Sequence, residues 1–370
     1  MAISQITNKS ITDATITADD MATGAVEGAM TTQIGGRRNL IINGAMQVAQ
    51  RGDQTGVTST GYQAIDRYKF LINALGTWSI SQSSTAPEGF GNSMKITPTT
   101  ADASPAAGDY FFLQHYIEGQ DLQQLKKGTS NAQPVTMSFY VRCTKTGNVQ
   151  VNLYDNDNSR IIGKVFSIDS ANTWEYKTLT FDGDTTGALD NDNNLSLFWE
   201  MLLDGGTNWT SGTTPSAWEA ASGPDRGAGT TLALADNTAN EFFITGVQLE
   251  VGSVATPFEH ISYGESLAAC QRYYQLVTSG NMMVAGTTSI YLNPQFFCEM
   301  RSTPSISQTG VFSINNRTAN RIQSSTGHTF YAGDTRGVFI DLLNFSSLLT
   351  DSGVSARYLN TNAVVLDAEI

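Results

Sequence analysis

At 370 residues, with 40% hydrophobic positions and a formal charge of −13, the chain is long enough for about two or three domains and apolar enough to bury a real core. So acidic a balance disfavours nucleic acid and anionic membrane surfaces as partners, because phosphate contacts need clustered Lys and Arg. With only 15% charged residues and 34 glycines, alongside abundant Ser, Thr and Asn, the composition is that of a turn-rich β protein.

Cys143, Cys270 and Cys298 are far apart and odd in number, so they are expected to be small buried residues, not a disulfide framework or a Cys-x-x-Cys metal knuckle. Met1 to Asp20 has no apolar core of a signal peptide, and no run of 18 apolar residues exists to span a membrane. The expectation is a soluble protein made in the cytosol.

Residues 1–35 form the first part. Ile6, Ile11, Ile16, Met21 and Val26 stand five apart between small and polar residues. That period fits neither helix nor strand. Five spaced apolar side chains in so short a chain need other surfaces to bury them. Parallel copies meeting on a shared axis, as in a trimer, provide one solution, and docking on another protein provides a second. A loose tail with coincidental spacing is the alternative.

Residues 36–258 read as one antiparallel β-sandwich. Val135, Met137, Phe139, Val141 and Cys143 alternate with polar or amphipathic residues, the mark of a half-buried strand. Val149, Val151 and Leu153 make a second, and Lys145–Asn148 between them suits a hairpin turn. Trp174–Phe181 is a third strand. Leu195, Leu197, Trp199 and Met201 mark a fourth, and Phe243, Thr245, Val247, Leu249 and Val251 the last. The one helix candidate inside, Gly119 to Lys127, is short. Many short strands without long amphipathic helices argue for a sandwich.

Residues 259–277 change period. Ser262 and Glu265 have capping-box spacing, and Leu267, Cys270 and Tyr274 share one helical face. Residues 278–370 return to strand patterns and form a second small β domain. Its candidate strands are Met283–Leu292, Gln295–Met300, Val311–Asn315, Gly337–Leu342 and Ala363–Ile370.

Candidate chemistry is sparse. His115, His260 and His328 are the only histidines, and none lies in a nucleophile-elbow context, so no Ser-His-Asp triad is expected. Paired carboxylates for glycoside cleavage cannot be picked out among 34 acids, and no solenoid repeat of the kind that carries them is visible. Asp155–Asn158, Asp182–Asp184 and Asp190–Asn193 offer hard oxygen ligands for Ca²⁺, yet lack EF-hand form and read as turns. The long loop Asp204–Gly229 carries Trp209 and Trp218. Long structured loops are usually functional, and an exposed indole stacks on a sugar ring. The alternative is that both indoles anchor the loop to the sheet. No catalytic residue, cofactor or metal site is expected.

Several segments together carry a resemblance. Asn39–Val48, followed by Arg51-Gly52 and Asp66-Arg67-Tyr68, looks like the start of a jelly-roll module in phage tail-fibre-type proteins. Gln114, Ile117-Glu118-Gly119 and Asp121, followed by Met137–Arg142, resemble its middle. Gly246–Glu250 with Ala255–Phe258 resemble its closing strand. Tyr263-Gly264-Glu265, Cys270–Tyr274, Met300–Pro304 and Leu366–Ile370 resemble the segments that come after the module in that family. The module is also similar to carbohydrate-binding jelly rolls of glycoside hydrolases. What the resemblance implies is a homotrimeric, non-catalytic virion protein. Its N-terminus would join other tail or adaptor proteins, and its β domains would bind a host surface glycan or protein. A head fibre or decoration, and a polysaccharide depolymerase, are the alternatives.

Overall fold

The computed structural model describes residues 37–277, 280–284, 288–294, 296–308, 313–316, 321–324, 327–331, 334–337, 339–343 and 364–370. Ile6, Ile11, Ile16, Met21 and Val26 lie outside the described residues. The chain divides into two compact units, Met1–Arg38 and Asn39–Ile370, and every strand and helix among the described residues belongs to the second.

The sandwich begins with β1 (Gln54–Val57), β2 (Gly61–Tyr62), β3 (Tyr68–Asn73), β4 (Thr77–Ser83) and β5 (Ser93–Thr100). It continues with β6 (Tyr110–Glu118), β7 (Val135–Cys143), β8 (Gly147–Asp155), β9 (Arg160–Ile168) and β10 (Glu175–Phe181). It closes with β11 (Leu195–Gly205), β12 (Glu219–Ala220) and β13 (Phe242–Val251). One sheet runs β1-β4-β5-β13-β7-β10 and the other β12-β9-β8-β11-β6-β3-β2, with every pairing antiparallel. Within these orders β5 pairs β13, β6 pairs β11, β7 pairs β10 and β8 pairs β9. A long antiparallel ribbon of four such pairs, rolled so that successive pairs fall in opposite sheets, is a jelly roll.

That wrapping corrects one expectation. β7 and β8 alternate as anticipated, but Lys145–Asn148 is no hairpin turn, because the two strands belong to different sheets. Alternation reports which side of a strand is buried and says nothing about its partner.

The core lies between the sheets. Trp78, Phe111, Phe139, Phe181, Trp199 and Phe242 are fully buried in one continuous cluster, where each large apolar side chain contributes about 1.5–3 kcal/mol. The β13 pattern needs a second correction. Phe242 and Ile244 join the core, then Val247 and Leu249 do, because the pairing slips between Thr245 and Gln248. Gly246 sits in that bulge at φ +62°, and a Cβ there would come within 2.7 Å of the Phe90 ring. Phe243 and Thr245 therefore lie on the opposite side of the sheet from Val247.

The two motif segments that open and close the sandwich bind each other. Asn39 Nδ2 donates to Val247 O at 3.0 Å, and its Oδ1 accepts from Leu249 N at 3.1 Å. Val247 N donates to Gly44 O, so closely that a Cβ on Gly44 would lie 2.1 Å from Val247 O. Gln248 and Glu250 hold the departing chain by accepting from Glu259 N and Thr256 N, each at 2.8 Å.

Gly119–Leu125 forms two 3₁₀ turns, Gly119–Asp121 and Gln123–Leu125, in place of the α-helix candidate. The capping box at Ser262 and Glu265 forms and opens the helix Tyr263–Gln271. Cys270 and Leu267 pack on Ile42 and Val48 of the first motif. Tyr274 lies beyond the helix, in the strand Tyr274–Val277, and Tyr273 completes the apolar contact instead. Cys143 and Cys270 are buried, whereas Cys298 is only half-buried; all three are free thiols.

Beyond the helix, Tyr274–Val277, Val364–Asp367 and Ser305–Gln308 form a three-stranded sheet, which includes the expected final strand. Gly280–Val284 and Ile290–Pro294 split the expected Met283–Leu292 strand, and Phe339–Leu343 pairs with the second. Ser313–Asn316 overlaps Val311–Asn315, while residues 296–300 are irregular.

Candidate functional site

The wider sheet turns an ordered set of side chains away from the core. Register across β6, β11 and β8 aligns Tyr116, Phe198 and Tyr154 in one row. The next row holds Gln114, Glu200 and Asn152, beginning at Lys69 on β3. A third includes Phe112 and Leu202. An outer sheet face needs none of these to fold, since polar alternation alone suffices there. Tyr154 and Phe198 stack at 4.7 Å and 15°, and Phe198 meets Tyr116 at 5.2 Å. Tyr154 is half-buried, whereas Tyr116 and Phe198 are 9% and 6% exposed.

A strap from Gly206 to Ala233 crosses the second and third rows. Arg226, from the 3₁₀ turn Gly223–Arg226, grips Glu200 through Nε at 2.8 Å and Nη2 at 2.5 Å. Glu200 also accepts from Gln114 Nε2 at 2.8 Å and Asn152 Nδ2 at 3.2 Å, so its buried charge is fully compensated. Asn152 Nδ2 and Gln150 Nε2 donate to the strap carbonyls of Arg226 and Asp225, both at 2.7 Å. Burial opposes the Arg226 charge, but Glu200 outweighs it and raises the Arg226 pKa. Burial, with Glu200 nearby, pushes the Tyr116 hydroxyl up to about 12.

Trp209 and Trp218 both belong to this strap, and the structure does not bring them together. Trp209 is half-buried, donates Nε1 to Gly108 O at 3.3 Å, and meets Tyr110 edge-on at 4.8 Å. Trp218 is half-buried on the main core and donates Nε1 to Asp182 O at 2.6 Å. Each indole thus has its N–H committed to backbone.

Beside Trp218, two of the Asx clusters converge, and a lysine fills the space between them. Lys127 Nζ lies 2.5 Å from Asp155 Oδ2, 3.0 Å from Asp184 Oδ2 and 2.9 Å from the carbonyls of Thr186 and Gly187. Its side chain is 4% exposed, and the carboxylates are 0% and 3%. An ammonium ion thus occupies an oxygen cage of the kind a divalent cation prefers. Burial disfavours the Asp184 charge, but bonds from Arg160, Thr186 and Lys127 override it and hold its pKa low.

The histidines are scattered. His115 is buried, accepts from Ile42 N at Nε2 and contacts Arg67 O through Nδ1 at 2.9 Å. His260 is exposed beside Phe90 and Phe258, and His328 lies in the strand Gly327–Tyr331. Among the described residues no group of three or more His, Cys, Asp or Glu is placed to hold a metal ion. Among them, too, no helix is long and apolar enough to cross a membrane.

The motif residues meet at a different place, below the sandwich. Arg67 is 0% exposed, ion-paired to Glu369, bonded to Tyr116 O at 2.9 Å and 3.4 Å above the Tyr273 ring. Arg51 lies 3.6 Å over Tyr274 and reaches Glu369, Asp367 and Asp66 at 3.3, 3.5 and 3.8 Å. Burial, tempered by Gln50 and Arg51, lifts Asp66 to about 6. Arg301 binds Ala368 O at 2.8 Å and Asn193 O at 2.9 Å. Arg272 grips Glu118 at 3.0 and 2.8 Å where this junction borders the aromatic row, and Tyr273 donates to the same carboxylate.

No family model and no curated protein matches this chain. Among solved structures it is similar to the enzymatically active domain of tailspike protein 4 of bacteriophage CBA120, at 10% identity and TM-score 0.30 over 58% of this chain and 21% of that one. It is also similar to the carbohydrate-binding module TmCBM61 with β-1,4-galactotriose, at 8% identity and TM-score 0.28 over 58% and 99% of the two chains. A third is the family 11 carbohydrate-binding module from Clostridium thermocellum with a mixed-linked tetrasaccharide, at 10% identity and TM-score 0.27 over 55% and 98%. The chain thus spans about a fifth of the tailspike's length. Likenesses this loose carry no argument, and the jelly-roll assignment rests on strand order.

Proposed function

We propose that this chain is a non-catalytic glycan-binding protein and that the outer face of the wider sheet is its binding surface. The observation that carries the reading is the row Tyr116–Phe198–Tyr154 running beside the row Gln114–Glu200–Asn152. Aromatic faces take the apolar side of a pyranose, and Tyr154 is the most open ring of the row. The buried Gln114–Glu200–Asn152 row, bonded to itself and to the strap, holds the strap beside those rings. The buried acids near the face support binding over hydrolysis. Glu200 is held by Arg226, Glu118 by Arg272, and Asp155 and Asp184 by Lys127. A glycosidase needs one carboxyl free to give up a proton.

The wider role we propose is a trimeric tail-fibre-type appendage that joins a virion through its N-terminal segment. The motif resemblance and the five-residue spacing of Ile6 to Val26 support it. Weak single-site binding would then be multiplied by the copies present. The test is titration calorimetry against a panel of bacterial surface polysaccharides, with reducing ends measured in parallel. Tyr154→Ala should weaken binding about tenfold without lowering Tm by more than a few degrees. Release of reducing ends would overturn the non-catalytic reading. Unchanged affinity in Tyr154→Ala would overturn the site.

A further inference from the structure

The aromatic row is bracketed by two arginines in the same posture. On one side Arg226 lies over Glu200, two residues from Phe198 on β11. On the other Arg272 lies over Glu118, two residues from Tyr116 on β6. Both carboxylates are 0% exposed, while the guanidiniums are 17% and 33% exposed. Both arginines use the Nε–Nη2 edge for the carboxylate. Neither Nη1 has a protein acceptor among the described residues. Lys69, half-buried with Nζ 4.4 Å from the Tyr116 ring, is already engaged, donating to Ile370 O at 3.2 Å. Exposed acids stand nearby: Glu299, paired with Arg336, lies within electrostatic reach of Arg272, and Asp121 follows Glu118 by three residues. Glu219 lies at the far edge of the sheet.

We infer that this face selects acidic glycans, with the outward Nη1 groups of Arg226 and Arg272 taking sugar carboxylates on either side of the aromatic row. This rests on the glycan-binding reading and names its ligand class. The physical case is the order of charge. On a chain of net charge −13, this surface presents guanidiniums outermost and keeps their counter-charges beneath. Each arginine is already held planar by its bidentate partner, so little side-chain entropy is lost when a second anion arrives. Counting from Glu118 to the Glu200 position, four residues along and one strand across, the bracket spans roughly 14 Å, longer than one sugar ring.

The test uses three uronate-bearing polymers of different linkage and their carboxyl-reduced, neutral counterparts, titrated against the full chain. At least one uronan should bind about tenfold or more tighter than its reduced form, and added salt should narrow the gap. Arg272→Gln and Arg226→Gln should each remove most of that difference while leaving binding of the reduced polymer within about twofold. Either substitution strands a buried carboxylate. The paired variants Arg272→Gln/Glu118→Gln and Arg226→Gln/Glu200→Gln keep hydrogen-bonding groups, and their Tm separates lost recognition from lost folding. Equal binding of acidic and reduced polymers would overturn the inference and leave the glycan-binding reading standing. So would binding of neutral glycans alone. Failure to bind any polymer in either panel would overturn both.

Discussion

Two regions of this molecule are built from the same parts, arginines on carboxylates beside tyrosines, and they are turned in opposite directions. At the junction below the sandwich the cation is innermost. Arg67 is 0% exposed, covered by Tyr273 and paired with Glu369. On the outer face of the wider sheet the carboxylates are innermost and the guanidiniums of Arg226 and Arg272 meet solvent. A pair closed over its cation fastens segments together, because removing either partner strands a buried charge. A pair closed over its anion leaves donors facing outward and is equipped to meet a ligand.

The largest expected effect tests the fastening half. Arg67→Ala leaves Glu369 with Arg51 alone and removes the contact with Tyr273 and the bond to Tyr116 O, and should cost about 3 kcal/mol in urea unfolding. Glycan affinity of the protein that remains folded should be unchanged. A loss under about 1 kcal/mol, the range of an exposed pair, would erase the distinction between the two regions.

Lys127→Ala comes next, with an expected cost of about 3 kcal/mol, since Asp155 and Asp184 then face each other without their ammonium. Millimolar Ca²⁺ should restore much of the lost Tm in this variant and not in the parent, because the remaining oxygens suit that ion. No response to Ca²⁺ would show that the cage is shaped for the lysine alone.

The pH dependence separates the regions further. Burial pushes Asp66, at the junction, and Asp204, at the root of the strap, up to about 6. A folded-state pKa above the unfolded value of about 3.9 means that the folded form binds more protons between about pH 4 and 6. Stability should therefore rise by roughly 1–3 kcal/mol as pH falls through that window. Asp184, Glu175 and Asp236 are shifted the other way; burial resists their charge, but bonds from Arg160, Lys177 and Lys145 respectively prevail. Their contribution is lost as pH falls below about 4. Asp66→Asn should remove the junction's share of the rise, and Asp204→Asn the strap's. A flat profile across that same window would contradict both placements.

The smallest effect belongs to the strap. Glu200→Gln keeps a hydrogen-bonding group beneath Arg226 and removes the charge, for an expected cost of about 1 kcal/mol. Limited proteolysis between residues 206 and 233 should speed up while the rest of the sandwich stays protected. Unchanged cleavage would show that the strap's other bonds, from Gln150, Asn152 and the β12–β9 pairing among them, hold it without the Glu200 charge.

How much was legible divides along the same line. Asn39, Arg51, Asp66, Arg67 and Arg301 stand in short motifs, so the junction's parts were visible before their meeting place was. Of the binding face, only Gln114 and, at its border, Glu118 and Arg272 stood in such motifs. Tyr116, Tyr154 and Phe198 sit at ordinary outward positions of three strands, and Gln114, Asn152 and Glu200 look like solvent-side residues. The loop bearing Trp209 and Trp218 was conspicuous, yet both indole N–H groups bond backbone carbonyls. What it contributes most visibly to the face is Arg226, an inconspicuous residue near its end.

By itself the sequence determined that this chain would be antiparallel β, where several of its strands lie, and where the capped helix begins. Those are local matters of periodicity, turn chemistry and capping. Only the tertiary structure decided which strands pair, that β7 and β8 part into different sheets, and that Lys127 fills the Asx cage. It alone decided that residues 116, 154 and 198 share a row between two arginines. Strand partners and facing side chains are set by global register, and no local window of the chain contains that information.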